Sequence, residues 1–415
     1  MVTITLGLLL VIFQSYALLY LLYLWAPALA VLVGYRRGSA VRSVAPAIER
    51  SFAILIPAHN EETVVGSLLE SLASQHYPAE KRRVYVVADN CTDSTAAVVH
   101  NSGVAACHER SAEGGQQTKG AALLSLWEWI SVEMPDCDCV LILDADNLVD
   151  PDFLAEMNLV FEQGYRVVQS ARCPKNADDS WISQMDAISE MLWNRLDQEG
   201  RARLGLSASV AGSGMAFERD VFEWLVGNGV PQLLEDAEWQ ARLMLSGTRV
   251  GYTARAKLYD EKTRGAEQLS RQRKRWVAGV AIGASRYGWR ALVSGIRSVS
   301  VWQTTAGFGA TKPPRSLLLS LCGLLAMIGG LFPTTPALLP WPFWIGALGS
   351  FAAYVLLGMV LDGARPRAYL ALLCAPVFLL FMLRAFVAGG LRPSRERWIP
   401  TAHGRGITID QLRSE

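Results

Sequence analysis

Val140-Leu141-Ile142-Leu143-Asp144-Ala145-Asp146-Asn147 is the stretch whose reading decides the fold: four apolar residues in a row end in two carboxylates one residue apart. An unbroken apolar run of this length suits a central strand of a parallel sheet, covered on both faces. Ligands of such sheets bind just beyond the carboxyl ends of the strands. Extended backbone past the strand end would aim Asp144 and Asp146 the same way and converge two hard oxygen donors. That is a seat for Mg2+ or Mn2+ carrying a diphosphate. Asp150-Pro151-Asp152 follows and reads as N-cap, N1 and N2 of the next helix. With the cap assigned to Asp150, Asp144 and Asp146 have no structural task.

Outward from this strand, residues 51–264 alternate short β-rich runs with helical patterns. The runs are Phe52 to Ile56, Val84 to Ala88, Val104 to Cys107, Val140 to Leu143 and Val167 to Ser170. This predicts an α/β domain with a mostly parallel sheet. Pro57-Ala58-His59-Asn60-Glu61 ends the first strand and Asp89-Asn90-Cys91-Thr92-Asp93 the second, so both place polar groups where a parallel sheet collects its ligands. Glu61 or Glu62 suits the positive end of a helix, and Asp93 suits a cap. Asp89 precedes any helix and fits a carboxylate that accepts hydrogen bonds from a nucleobase or ribose.

Ala211-Gly212-Ser213-Gly214-Met215-Ala216-Phe217 is a small-residue turn running into an apolar strand, where Gly212 and Gly214 let backbone come close to a bound group. Glu235-Asp236 opens a helix, and both carboxylates suit its N-terminus; spacing alone does not choose between capping and chemistry. Residues 265–300 mix Arg and Lys with apolar residues at helical spacing and predict amphipathic helices in a membrane interface. Gln272, Arg275 and Trp276, at i, i+3 and i+4, share a face there.

The 415 residues are 51% hydrophobic, with a mean hydropathy of +0.22, too apolar for a purely soluble protein of average composition. A net charge of +1 supplies no field for a nucleic acid partner. Seven scattered cysteines include one C-x-C, Cys137 and Cys139, but no zinc spacing, and read as reduced thiols. Residues 1–35 carry no charge and fit one N-terminal transmembrane helix; a signal peptide would have a shorter apolar core preceded by basic residues. Arg36, Arg37 and Arg42 follow, which places the next domain in the cytoplasm. Residues 315–391 form a C-terminal membrane region: Ser316 to Phe332 and Phe343 to Leu361 as a hairpin of two spans, and Ala368 to Leu391, broken by Pro376, as an interfacial or re-entrant element. Residues 392–415 form a cytoplasmic tail and a possible gating loop.

Taken in order, Pro57-Ala58-His59-Asn60-Glu61, Asp89, Lys119-Gly120, Asp144-Ala145-Asp146, Glu235-Asp236 and Gln272-Arg273-Lys274-Arg275-Trp276 resemble the membrane-integrated family 2 glycosyltransferases. These include cellulose, chitin and hyaluronan synthases and bacterial exopolysaccharide enzymes. The resemblance covers about Ser51 to Trp276; a lone D-x-D is a weak signal, while the ordered set with Q-x-x-R-W is a strong one. It implies a nucleotide-sugar-binding Rossmann-like domain of GT-A type on the cytoplasmic side, in a multi-pass protein of the plasma (inner) membrane. It also implies a UDP-sugar donor, of glucose or N-acetylglucosamine, and transfer to a growing polysaccharide or a membrane-bound acceptor, with single transfer to a lipid-linked acceptor as the alternative; a saccharide or lipid-linked acceptor and membrane lipids are the expected partners.

Residue by residue, the resemblance makes Pro57, Glu61 and Asp89 donor-side contacts and Lys119, joined by Arg110, a cation near the nucleotide. Asp144 approaches the diphosphate, and Asp146 the Mg2+ or Mn2+. It sets Gly212, Ser213 and Gly214 on the acceptor side with Glu235, makes Asp236 the general base of an inverting displacement, and stacks Trp276 on the terminal sugar beside Gln272 and Arg275. Thr401 and Arg405 match a loop that closes over the nucleotide, with His403 where the family has Arg or Lys. Two other classes are a transport component, which would need more ionisable residues in its apolar segments than Arg384, and an inactive scaffold, which the intact motifs oppose.

Overall fold

Phe52, Ile54 and Ile56 join one hydrophobic cluster while Ala53 and Leu55 join another, so the first strand is apolar on both faces and must be covered on both. The same alternation recurs at Cys139, Leu141 and Leu143 against Val140 and Ile142. In a computed structural model, which describes residues 2–34, 48–111, 118–131, 136–229, 235–312, 314–332, 339–391 and 406–414, these strands are neighbours in one mixed sheet. The strands are β1 (Phe52–Ala58), β2 (Arg82–Asp89), β3 (Ala105–Arg110), β4 (Cys139–Ile142), β5 (Leu148–Val149), β6 (Val167–Pro174), β7 (Met215–Glu218) and β8 (Val250–Asp260). Their order is β3-β2-β1-β4-β7-β6-β8-β5.

β1, β2, β3 and β4 pair in parallel, and β7 runs antiparallel between β4 and β6. The carboxyl ends of β1, β2 and β4 therefore open on one edge, the place where a doubly wound sheet binds its ligands. Helices Val65–Ala73 and Phe153–Glu162 cover one face, and Lys119–Ile130, Arg219–Gly227 and Glu235–Ser246 the other. One expectation fails locally. The helix after β5 starts at Phe153, so Asp150 is not its cap; the Asp150 carboxylate instead accepts from Tyr259 Oη at 3.3 Å and pairs with Arg413 at 3.0 Å.

Outside the sheet domain the described residues are mainly helical. Among the described residues three helices are long and apolar enough to cross a membrane, Gly7–Leu32, Trp341–Leu361 and Pro366–Arg384. Val301–Thr311 and Arg315–Leu331, bent by 79° at their break, qualify together as one broken span. In the third apolar stretch the helix changes to a 3-10 turn over Leu372–Cys374, and Pro376 falls in the first turn of the next helix, where its missing N–H costs nothing. Gln14, fully buried in the first helix, accepts from the Leu339 N–H at 2.9 Å.

Helix Trp181–Leu192 continues through a π turn, Trp193–Gln198, into Glu199–Arg203, and this element packs against both the sheet and the apolar helices. Two glycines set the approach. A Cβ on Gly200 would sit 2.4 Å from the Pro27 carbonyl oxygen, and one on Gly358 2.3 Å from a Leu192 methyl. Gly200→Val should therefore lower stability by about 1–3 kcal/mol, because the obstacle is backbone and cannot turn aside. Gly349→Ala, which meets nothing within 4 Å, should be neutral. Thermal unfolding in detergent reads both, and equal melting temperatures would contradict this docking.

Candidate active site

Lys119 begins the helix Lys119–Ile130, whose N-cap Thr118 accepts the Ala121 N–H. Its ammonium lies 2.6 Å from Asp144 Oδ1, 3.2 Å from Glu235 Oε1 and 2.6 Å from the Gly212 carbonyl. One cation thus ties together three stretches that are far apart in the sequence. Burial on its own would lower the pKa of Lys119, but Asp144, Glu235 and Asp236 outweigh it and hold the ammonium protonated well above its ordinary value.

Beyond β4 the backbone is not extended. The Asn147 N–H returns to the Asp144 carbonyl at 3.0 Å, closing a tight turn that gives the two aspartates different surroundings. Asp144 stays two-fifths exposed at the cleft, whereas Asp146 is buried. Asp146 Oδ1 accepts from Asn147 Nδ2 at 3.1 Å, and Oδ2 from the Glu261 N–H at 3.3 Å. Two carboxylates this close offer the hard oxygen donors that a divalent ion takes. Among the described residues no group of three His, Cys, Asp or Glu is placed to hold a metal. The donor set fits a Mg2+-like ion held by one or two carboxylates, with phosphate and water completing its shell.

At the end of β2, Asp89 is buried and accepts from Arg110 Nη1 at 2.6 Å and from Asn90 Nδ2 at 2.8 Å. Arg110 therefore belongs with Asp89. His59 Nδ1 meets the Asp89 carbonyl at 2.6 Å. The Glu61 N–H donates to Thr95 Oγ1, and Asp93 accepts from Thr95 N at 3.0 Å and Glu62 N at 3.1 Å, so Asp93 stabilises a helix start. The loop that opens at Pro57 is thereby pinned to the loop after β2.

Gly212 and Gly214 both have positive φ, +69° and +66°. A Cβ on Gly214 would lie 2.0 Å from Ser170 Oγ, so only glycine fits. Ser213 is buried and accepts from the Asp144 N–H at 3.0 Å while donating to Asn147 Oδ1; it props the β4 turn rather than facing the cleft. A Cβ on Gly212 would stand 3.4 Å from Asp236 Oδ2. Burial and the adjacent Glu235 raise Asp236 to about 6, against the lowering effect of Lys119. A carboxylate so tuned can take a proton near neutrality.

Asp236 opens onto a cavity of about 600 Å³ that also meets Trp276 and Arg273 from the helix Ala266–Gly283. Arg273 stacks 4.3 Å over the Trp276 ring and pairs with Asp186. Gln272 has a buried Oε1 with no partner among the described residues. The side chain of Arg275, and Thr401, His403 and Arg405, lie outside the described residues. Arg172 donates to Glu190 at 2.7 Å and to the Ala211 carbonyl at 2.8 Å, and Lys262 pairs with Glu190 and Asp260. Asn147 and Arg273 fall inside the stretches Val140 to Asn147 and Gln272 to Trp276 at positions with no assigned role, and Arg172, Glu190 and Lys262 carry no motif. Arg172 lies within β6 and Lys262 just after β8, a weak signal, and nothing in the periodicity marks Glu190.

Residues 49–279 match the model of the glycosyltransferase-like family 2. A probable glycosyltransferase, YdaM, of Bacillus subtilis is 27% identical over 236 residues, 54% of this chain and 54% of that protein's length. Beta-monoglucosyldiacylglycerol synthase of Synechocystis sp. is 25% identical over 388 residues, 86% of this chain and 76% of the relative. Mannosyltransferase PcManGT from Pyrobaculum calidifontis, solved in complex with GDP-Man and Mn2+, has a similar fold at a TM-score of 0.50. It is 17% identical, over 86% of this chain and 98% of that one.

Lys119→Gln should lower stability by about 1–3 kcal/mol, since it leaves part-buried acceptors without their cation. Adding Glu235→Gln should restore part of the loss by removing one uncompensated carboxylate. Melting temperatures at pH 7 check this, and a double variant no more stable than the single one would contradict the tie.

Proposed function

The chain belongs to the glycosyltransferase-like family 2, and from that premise we propose that it transfers a hexosyl unit from a UDP-sugar to a hydroxyl of a membrane lipid, inverting the anomeric configuration. Glucose is the preferred donor sugar, with N-acetylglucosamine next. One observation carries the acceptor class: the cavity that Asp236 opens onto continues between Phe351, Val355, Phe378 and Met382 of the apolar helices. An acceptor with its hydroxyl at Asp236 has its apolar part among those side chains. The name of the Synechocystis relative, which spans most of both chains, supports a glucosyl donor and a lipid acceptor.

In this reading Pro57, Glu61 and Asp89 bind the uridine, with Arg110 holding Asp89 in place. Lys119 and Asp144 bracket the diphosphate, and Thr401 and Arg405 close over it. Asp146 and Asp144 would hold Mg2+ or Mn2+, which would supply charge neutralisation on the leaving diphosphate. Gly212, Ser213, Gly214 and Glu235 shape the acceptor side, while Gln272, Arg275 and Trp276 border the sugar. Asp236 takes the acceptor's proton as the new bond to the anomeric carbon forms and the bond to the diphosphate oxygen breaks, releasing UDP. The catalytic domain faces the cytoplasm from a multi-pass anchor in the plasma membrane.

Purified protein with Mn2+ and a panel of UDP-sugars should release UDP only when a lipid acceptor is added, with a product that partitions with lipid. A water-soluble polymer would overturn the acceptor assignment. Asp236→Asn should keep UDP-sugar binding and melting temperature, because Asn accepts the same backbone hydrogen bond, yet lose about 100-fold to 10,000-fold in transfer. Asp146→Ala should fold and lose divalent-dependent turnover. Activity near wild type in either variant would remove that residue from the mechanism.

A further inference from the structure

The break between Val301–Thr311 and Arg315–Leu331 gathers charge at the membrane end of the cavity, which Arg201, Lys312 and Arg315 line together with Asp197. Asp197 and Arg201, 6% and 5% exposed, pair with each other at 2.8 Å. Among the described residues Lys312 and Arg315 have no carboxylate at ion-pair distance. Three cations against one carboxylate leave a net charge of +2. Aromatic faces partly stand in for the missing anions: Lys312 Nζ is 5.5 Å and 5.6 Å from the ring centres of Tyr20 and Tyr23, and the Arg315 guanidinium 5.7 Å from that of Tyr354.

Such contacts attract a cation but accept no directed hydrogen bond from it. Buried charges without partners are costly, and buried unsatisfied donors call for an explanation such as a bound ion. The hydroxyls of Tyr23 and Tyr354 are buried and have no partner among the described residues. Tyr23 aims its hydroxyl at the cluster: a Cβ built on Gly309 would lie 2.4 Å from it and 3.5 Å from Arg201 Nη2. The 17-residue helix Arg315–Leu331 starts here with no side-chain cap, so its first N–H groups add to the same field. Apart from the Asp197 carboxylate, which Arg201 pairs, these groups offer donors, and the set matches an acceptor-only anion of one to two charges.

We propose that Arg201, Lys312, Arg315 and Tyr23 form a seat for the phosphate of a membrane phospholipid, distinct from the diphosphate site at Asp144. The lipid source follows from place, since the cluster opens onto the same cavity as Phe351, Val355 and Phe378, where a free phosphate would gain nothing and acyl chains are covered. The inference rests on the reading above only in setting these helices in a membrane.

The test titrates the full-length protein, in uncharged detergent, with dioleoyl phosphatidic acid, with dioleoylglycerol and with inorganic phosphate, counting bound ligand by native mass spectrometry. Phosphatidic acid should bind one to one, at least about tenfold tighter than either of the others. Lys312→Gln with Arg315→Gln should lose about tenfold in phosphatidic acid affinity and leave dioleoylglycerol unchanged. Equal binding of the two lipids, an unchanged affinity in the double variant, or inorganic phosphate binding as tightly as the lipid would overturn the proposal. Should the double variant not fold, Tyr23→Phe decides: it keeps the ring and removes only the hydroxyl, so weaker phosphatidic acid binding supports the seat and unchanged binding refutes it. A failure of the transfer reading would show separately, as no UDP release from any donor while phosphatidic acid still binds.

Discussion

The ammonium of Lys119 is the interaction on which the site depends. Asp144 sits at the end of β4, Glu235 opens a helix on the far side of the cleft, and Gly212 belongs to the turn before β7. Without a cation among them, Asp144, Glu235 and Asp236 would repel one another in a place only partly open to water. With it, the carboxylates that follow β4 and those that open the Glu235 helix share one counter-ion. Asp236 makes no ion pair with Lys119 among the described residues, yet feels it as the main charge opposing its protonation.

The second constraint is the close approach of the apolar helices to the element from Trp181 to Arg203. Gly200 against Pro27 and Gly358 against Leu192 bring backbone to within contact where any side chain would hold them apart. That approach lets one cavity run from Asp236 past Arg172 and Glu190 to the charged break at Lys312 and Arg315. Loosening either glycine contact would separate Asp236 from the apolar part of that cavity.

The sheet was legible because its central strands are short apolar runs with carboxylates at their ends, a pattern few other elements produce. The Glu235 helix and the 211–217 turn were legible for similar local reasons. The turn at Asp144 to Asn147 was not, because two aspartates at i and i+2 look alike whether the backbone is extended or folded back. Nor was the pairing of Arg110 with Asp89, which depends on β2 and β3 being neighbours in register. Glu190, Lys262 and Arg273 act through long-range ion pairs, and those leave no trace in periodicity. The third apolar stretch carries a charge pattern that favours an interfacial element, although its helix Pro366–Arg384 has the length and apolarity of a span; side chains, not charge bias, decide how it packs.

The central claim, that one lysine couples the two halves of the site, is tested most directly by the pH dependence of transfer. The rate with limiting acceptor should rise through about pH 6 in the wild-type protein as Asp236 loses its proton. Because Lys119 lowers that pKa, Lys119→Gln should move the acid limb to higher pH, whatever it does to the plateau. An acid limb that stays in place, or moves to lower pH, would contradict the account.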